Sequence, residues 1–188
     1  MESERLDIRP MQEEDESSFT AGISDRSLRV SYGFPAEADP AVLKQIFQHF
    51  YGIQCAYSLV RRDTGEMIGF LLDVESELPV EAAEKLPGRG RTLAYSVFPP
   101  FQRKGYMEEA LRAYIPCLEV SYIHCGHFPE NESSRRLLDK LGFHEFFTHQ
   151  IGSRTVVDEV LLTVRETAHG YIFRGAAQSG NGQNPGRI

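Results

Sequence analysis

The residues best suited to chemistry lie in one short run, Gln102-Arg103-Lys104-Gly105-Tyr106-Met107, set between two contrasting patterns. Upstream, Leu93, Tyr95 and Val97 alternate, and aromatic and β-branched residues at period two predict a strand. Pro99 and Pro100 end it, since neither can donate a ladder hydrogen bond. Downstream, Ala110, Leu111, Tyr114 and Ile115 form an apolar stripe at helical spacing. Glu108 and Glu109 fall in the first turn of that helix, where its dipole favours acids. A loop feeding a helix in this way points several unpaired N–H groups in one direction, an anion site suited to a phosphate or pyrophosphate. Gly105 allows close approach to the main chain, and Arg103 and Lys104 add positive charge. The same residues also fit an ordinary strand-to-helix turn with a solvated basic pair.

A second stretch, Val120 to Phe143, repeats the pattern. Ser121 to His127 reads as a strand, and Glu130 to Lys140 as a helix carrying Leu137, Leu138 and Leu141 and capped by Gly142. Asn131 stands where an N-cap belongs, and Ser134 falls in the first turn. His124, Cys125 and His127 alternate faces of a strand without an evident fourth ligand, so no metal is expected and the histidines read as structural or site-lining. Gly88-Arg89-Gly90 lacks the Gly-Lys-Ser/Thr of a nucleotide-binding loop.

The elements that must position these residues follow from the rest of the chain. Leu6 and Ile8 alternate with charges in a first strand ended by Pro10. A helix begins at Glu13 to Ser18, and Ser24 to Ala38 is punctuated into a mobile helix–loop. Asp39 and Pro40 open a helix as N-cap and first residue, with Val42, Leu43, Ile46, Phe47 and Phe50 on its apolar face. Cys55–Arg62 and Met67–Val74 form a hairpin about Thr64-Gly65-Glu66. Glu75, Glu77, Glu81 and Glu84, in the loop that follows, read as solvent-facing. Pro116 stops the second-half helix early, and a final hairpin turns at Gly152-Ser153. From Thr167 the composition shifts to Gly, Asn, Gln and Ser, which predicts a flexible tail over 167–188 after a single domain spanning 1–166. The order of elements implies a mixed sheet flanked by helices.

Composition narrows the classes. A chain of 188 residues with 41% hydrophobic content suits one soluble domain. A net charge of −7 argues against a nucleic-acid partner. No apolar run has membrane-spanning length, and the charged N-terminus lacks the apolar core of a signal peptide. Cys55, Cys117 and Cys125, odd in number and without paired spacing, suggest a reducing, cytoplasmic setting.

Taken together, the two stretches resemble the GNAT superfamily of CoA-dependent N-acetyltransferases. The family's pyrophosphate motif is matched by Gln102-Arg103-Lys104-Gly105-Tyr106, with Met107 where Gly or Ala is usual. Its later signature is matched by Pro129, Glu130, Asn131, Ser134, Leu141, Gly142 and Phe143. Glu4 to Pro10 and the turn at Gly65 fit the RimJ/RimL-like branch, which contains ribosomal-protein acetyltransferases. The resemblance implies an α+β fold whose central, mostly antiparallel sheet opens as a V between two parallel strands. It implies acetyl-CoA as cosubstrate, with no metal. Backbone around Val97 and Phe98 would then pair with the pantetheine arm, and the amides of Arg103 to Tyr106 would hold the pyrophosphate. Asn131 would hold the pantetheine or a water, besides capping its helix. Ser134 would give a proton to the leaving sulfur, or serve only as a first-turn polar residue. Relatives often carry a glutamate base where Thr92 stands, which leaves Glu75, Asp73 or a water-borne proton path. The implied activity is acetyl transfer to a primary amine on a small molecule or peptide, by a monomer or homodimer. The alternative is an acyl-CoA-binding or sensor protein that keeps the groove without turnover.

Overall fold

Short alternating segments build one large sheet. The computed structural model describes residues 1–167 and 170–173. Strands β1 (Leu6–Pro10), β2 (Ala56–Arg61), β3 (Met67–Glu75), β4 (Gly90–Val97), β5 (Tyr122–His127), β6 (His144–Ile151) and β7 (Arg154–Leu162) form a seven-stranded sheet in the order β1-β2-β3-β4-β5-β7-β6. Every neighbouring pair is antiparallel except β4–β5. This is the mixed α+β architecture expected from the sequence. Two further strands, β8 (Val164–Thr167) and β9 (Gly170–Phe173), make a separate hairpin. The sequence composition places the start of the tail at Thr167, within β8. The aromatic and β-branched run Tyr171-Ile172-Phe173 has the strand propensity that the polar composition around it conceals. Of the flexible tail expected over 167–188, residues 168–169 and 174–188 lie outside the described residues.

Helices cover both faces. Those on one side are α1 (Glu16–Gly22), α2 (Arg26–Tyr32) and α3 (Pro40–Gly52). The Asp39 side chain accepts from the Val42 amide at 2.9 Å, so α3 starts at the Asp-Pro pair as its capping chemistry requires. Phe19, Phe47, Phe50, Phe70 and Phe98 are buried together on this side, with Phe19 and Phe70 ring centroids 5.2 Å apart. Such tilted aromatic pairs add about 0.5–1.5 kcal/mol each beyond burial. Residues 24–38, read as a helix–loop, fold as α2 and a following bend. The buried Arg29 guanidinium ties them by donating to the carbonyls of Ile23, Ser24, Pro35 and Ala36.

A short helix α4 (Val80–Ala83) bridges β3 and β4, and α5 (Tyr106–Tyr114) and α6 (Glu132–Leu141) cover the other face. Their apolar stripes bury Met107, Ala110, Leu111 and Leu138 against Leu93, Val97 and Ile123. At Pro116 the chain passes from α5 into a 3-10 turn, Ile115–Cys117, because the ring removes a helical N–H. No described helix is long and apolar enough to cross a membrane.

Candidate active site

The site begins where the sheet fails to close. β4 and β5 pair only at Gly90–Tyr122, Arg91–Ile123 and Thr92–His124, yet β4 continues to Val97 and β5 to His127. Past Thr92 the two strands diverge and leave a V. The Phe98 amide donates to Ile68 O at 2.8 Å, so it belongs to the β3 side of the ladder. By the alternation of antiparallel pairs, Tyr95 and Val97 turn their main-chain groups into the V. The expected backbone contact therefore narrows from Val97 and Phe98 to Val97, with Tyr95 as its neighbour. The Val97 carbonyl accepts from Gln102 Nε2 at 2.8 Å, which anchors the loop that follows to the strand end.

That loop has the geometry of an anion cradle. Arg103 and Gly105 both take left-handed conformations, at φ 61° and 79°. The amides of Arg103, Lys104, Gly105, Tyr106, Met107 and Glu108 donate to no main-chain carbonyl among the described residues, and the first helical bond runs from Glu109 to Gly105 O at 3.0 Å. Successive free amides wrapped by left-handed turns form a nest for a phosphate group. The side chains of Gln102, Arg103 and Lys104 are exposed. Met107 is buried in the core, so it occupies no space over the loop and offers only its amide. Arg5 braces the loop from outside, bonding Glu109 Oε2 at 2.6 Å and the Lys104 carbonyl at 3.1 Å.

A cavity of about 280 Å³ passes through the V. On the α6 side it is lined by Tyr95, Asn131 and Ser134. Asn131 caps α6 by accepting from the Ser134 amide at 3.2 Å. Ser134 Oγ and Tyr95 Oη are 3.0 Å apart. Burial pushes the Tyr95 phenol well above its usual range, with the hydrogen bond shared with Ser134 only partly opposing this. Tyr95 therefore remains a neutral hydroxyl able to pass a proton through Ser134. The sequence reading used Tyr95 only as a strand residue; its aromatic hydroxyl on the face of β4 was the available signal.

The α2 side is polar and was largely missed. His124 Nδ1 lies 2.8 Å from Thr92 Oγ1, and His124 Nε2 lies 2.8 Å from Asp158 Oδ1. His149 Nδ1 lies 2.6 Å from the other Asp158 oxygen. Asp158 is fully buried between the two imidazoles. The Tyr32 hydroxyl, packed among Phe34, Phe50 and Phe70, is buried without a partner. Burial, then the charge of Glu77, push it above the usual phenol range. His127 Nε2 meets Glu159 Oε1 at 2.8 Å while its Nδ1 faces the Phe128 carbonyl at 3.0 Å. His124 and His149 thus share one carboxylate while His127 has another, and among the described residues no group of three such side chains is arranged to hold a metal. Of the bases weighed on β3, Asp73 is buried against Arg91 Nε at 2.6 Å and accepts from Tyr114 Oη at 2.8 Å. Glu75 is exposed and 3.5 Å from Arg89, and neither carboxylate lines the cavity.

A sheet splayed at one parallel pair, with an amide nest at its mouth, is the framework of a CoA-dependent acyltransferase. Residues 5–144 match the family model described as acetyltransferase (GNAT) domain, and the chain belongs to this family. No curated protein matches the sequence significantly. Solved structures agree on the fold at low identity. A GNAT-family acetyltransferase from Bacillus anthracis has a TM-score of 0.70 at 16% identity, covering 86% of this chain and 97% of that one. A ribosomal-protein-S5-alanine acetyltransferase from Vibrio fischeri scores 0.61 at 16%, covering 86% and 95%. AAC(6')-Ib, solved with ribostamycin and coenzyme A, scores 0.67 at 18%, covering 85% and 94%.

Proposed function

We propose that the protein transfers an acetyl group from acetyl-CoA to a primary amine, as a RimJ/RimL-like N-acetyltransferase of the cytoplasm. The observation that carries this reading is the cavity through the V. It joins Ser134 and Tyr95 on one face of the sheet to Asp158, His124 and His149 on the other. Acetyl-CoA supplies the acetyl group activated as a thioester. The amides of Arg103 to Met107 hold its diphosphate, and Val97 and Tyr95 offer strand-like main-chain contacts to its pantetheine arm. Asn131 fixes the start of α6 and so the position of Ser134. Ser134, backed by the neutral Tyr95 hydroxyl, donates the proton that the departing sulfur needs. The buried carboxylate of Asp158 sets a negative field on the opposite side, which suits an acceptor that arrives as an ammonium. Three free thiols fit the reducing compartment. A peptide N-terminus and a small polyamine or aminoglycoside both satisfy this chemistry.

A second reading, a protein that holds acyl-CoA without turnover, rests on Thr92. Its hydroxyl is locked between the Glu77 amide at 2.8 Å and His124. Thiol release across a panel of spermidine, an alanyl peptide and kanamycin separates the two. Release with one of these amines supports acetyl transfer. Tight acetyl-CoA binding with no release from any of them supports the binding protein.

A further inference from the structure

We propose that His149 is the general base that takes the proton from the acceptor amine, oriented by Asp158, with His124 and Thr92 as positioning residues. This rests on the acetyl-transfer reading above and assigns its deprotonation step.

The direction of the hydrogen-bond chain follows from Asp158, which as a carboxylate only accepts. The Glu77 amide donates to Thr92 Oγ1 at 2.8 Å, so the Thr92 hydroxyl is free to donate onward to His124 Nδ1. His124 then carries its proton on Nε2 and gives it to Asp158 Oδ1. Both His124 nitrogens are occupied, and its side chain is only 6% exposed, so it has no lone pair to offer a substrate. His149 differs. Its Nδ1–H donates to Asp158 Oδ2, and its side chain is 24% exposed on the cavity. Nε2 has no partner among the described residues and carries the lone pair. A carboxylate behind Nδ1 and an unpartnered Nε2 on a cavity-lining side chain are the arrangement of a positioned general base.

Strand register shows that this orientation is built. Up to Glu145–Glu159, β6 and β7 pair without interruption. A bulge at Phe146 then shifts the register, so that Phe147 opposes Asp158 and His149 opposes Val156. Were Phe146 paired with Asp158 instead of bulged out, His149 would oppose Thr155 and turn to the sheet face away from Asp158. Gly126 on β5 leaves room beside it, since a Cβ there would lie 3.1 Å from Val156 Cγ1 and 3.5 Å from Asp158 Oδ1.

The step balances as follows. The ammonium gives one proton to His149 Nε2, and the resulting imidazolium is held by Asp158. The freed amine lone pair forms the C–N bond at the thioester carbonyl. The C–S bond then breaks, and sulfur keeps its electron pair and takes the Ser134 proton. The second nitrogen proton restores Ser134, and His149 returns its proton to solvent. One proton is released per acetyl transferred. Asp158 on β7 contacts His149, and the other titratable groups lining the same cavity are Tyr32 on α2, Glu77 after β3, Tyr95 on β4 and His124 and His127 on β5.

The test compares wild type, His149→Ala and His149→Gln on the first active amine of the panel, with acetyl-CoA affinity measured by calorimetry. Loss of a positioned base is expected to lower kcat by about 10²-fold, leave acetyl-CoA affinity within about twofold, and remove the acid limb of the pH–rate profile. Added imidazole is expected to restore part of the His149→Ala rate. An unchanged rate and pH profile in both variants, with wild type active, overturns the base while sparing acetyl transfer. A wild type that turns over no amine overturns acetyl transfer and the base with it. Nitrogen NMR gives an activity-free readout: the Nδ1–H tautomer of His149 supports the proposal, and the Nε2–H tautomer overturns it.

Discussion

Replacing Gly105 tests the phosphate nest most directly. Its φ of 79° lies in the left-handed region, and an added Cβ would meet nothing closer than Arg5 Nη2 at 3.6 Å, an ordinary contact. The penalty is therefore conformational. A left-handed residue with a Cβ costs about 1–2 kcal/mol, and a β-branched one costs more. Gly105→Val escapes this by rotating the loop, at small expense to a fold whose core lies elsewhere. Rotation turns the amides of Gly105 and Tyr106 off their common target. Two charge-assisted hydrogen bonds at about 1.5–3 kcal/mol each amount to a loss of roughly 10²- to 10⁴-fold in acetyl-CoA affinity. The assay is calorimetric titration with acetyl-CoA, beside dephospho-CoA and ATP, with thermal unfolding as the folding control. Gly105→Ala should fall between wild type and Gly105→Val. A folded Gly105→Val protein that binds acetyl-CoA like wild type would refute the nest.

Other perturbations follow from the same structure. Ser134→Ala is expected to lower turnover by about 10²-fold with acetyl-CoA affinity intact, and Tyr95→Phe to act in the same direction; steady-state thiol release checks both. Arg29→Ala leaves four carbonyls at the α1–α2 and 35–36 bends without their donor, and is expected to cost about 3 kcal/mol in chemical unfolding. Gly69→Ala would place a Cβ 2.4 Å from the Ser96 carbonyl oxygen, so β3 and β4 must part and the melting temperature should fall. Asp15 loses some ionisation to burial, but the Arg9 guanidinium, the Ser58 hydroxyl and the Gln12 amide more than offset this and hold it below the usual carboxylate range. Its folded value is depressed, so its stabilisation is full above the ordinary aspartate range and fades as pH falls through the folded value. Asp15→Asn should therefore be less stable at neutral pH and show a flatter acid limb in denaturant titrations.

How legible the site was depended on whether its geometry is local. Asp39-Pro40, the Gln102–Met107 loop and the Asn131 cap are each written in fewer than about ten consecutive residues, because caps and turns are set by neighbours in the chain. The depth of the V was less visible, since it depends on where β4–β5 pairing stops. Phe98 shows the limit: its strand was evident, but which side of the ladder its amide serves follows only from pairing with Ile68. The polar half of the cavity was the hardest to see. Thr92, His124, His149 and Asp158 come from β4, β5, β6 and β7, and no spacing links them. His149 and Asp158 are nine residues apart across a hairpin, and simple pairing from Glu145–Glu159 sets them on opposite faces. The Phe146 bulge reverses that parity. Deleting Phe146 should heal the bulge and leave His149 opposite Val156, because the pairs from Phe147–Asp158 to the turn at Gly152 are unchanged. If His149 is the base, that variant should keep the wild-type pH profile, whereas Asp158→Asn, which removes the carboxylate behind Nδ1, should reproduce the His149→Ala profile, with low kcat and retained acetyl-CoA binding. Full activity in Asp158→Asn would mean that the Asp158–His149 contact is incidental to turnover.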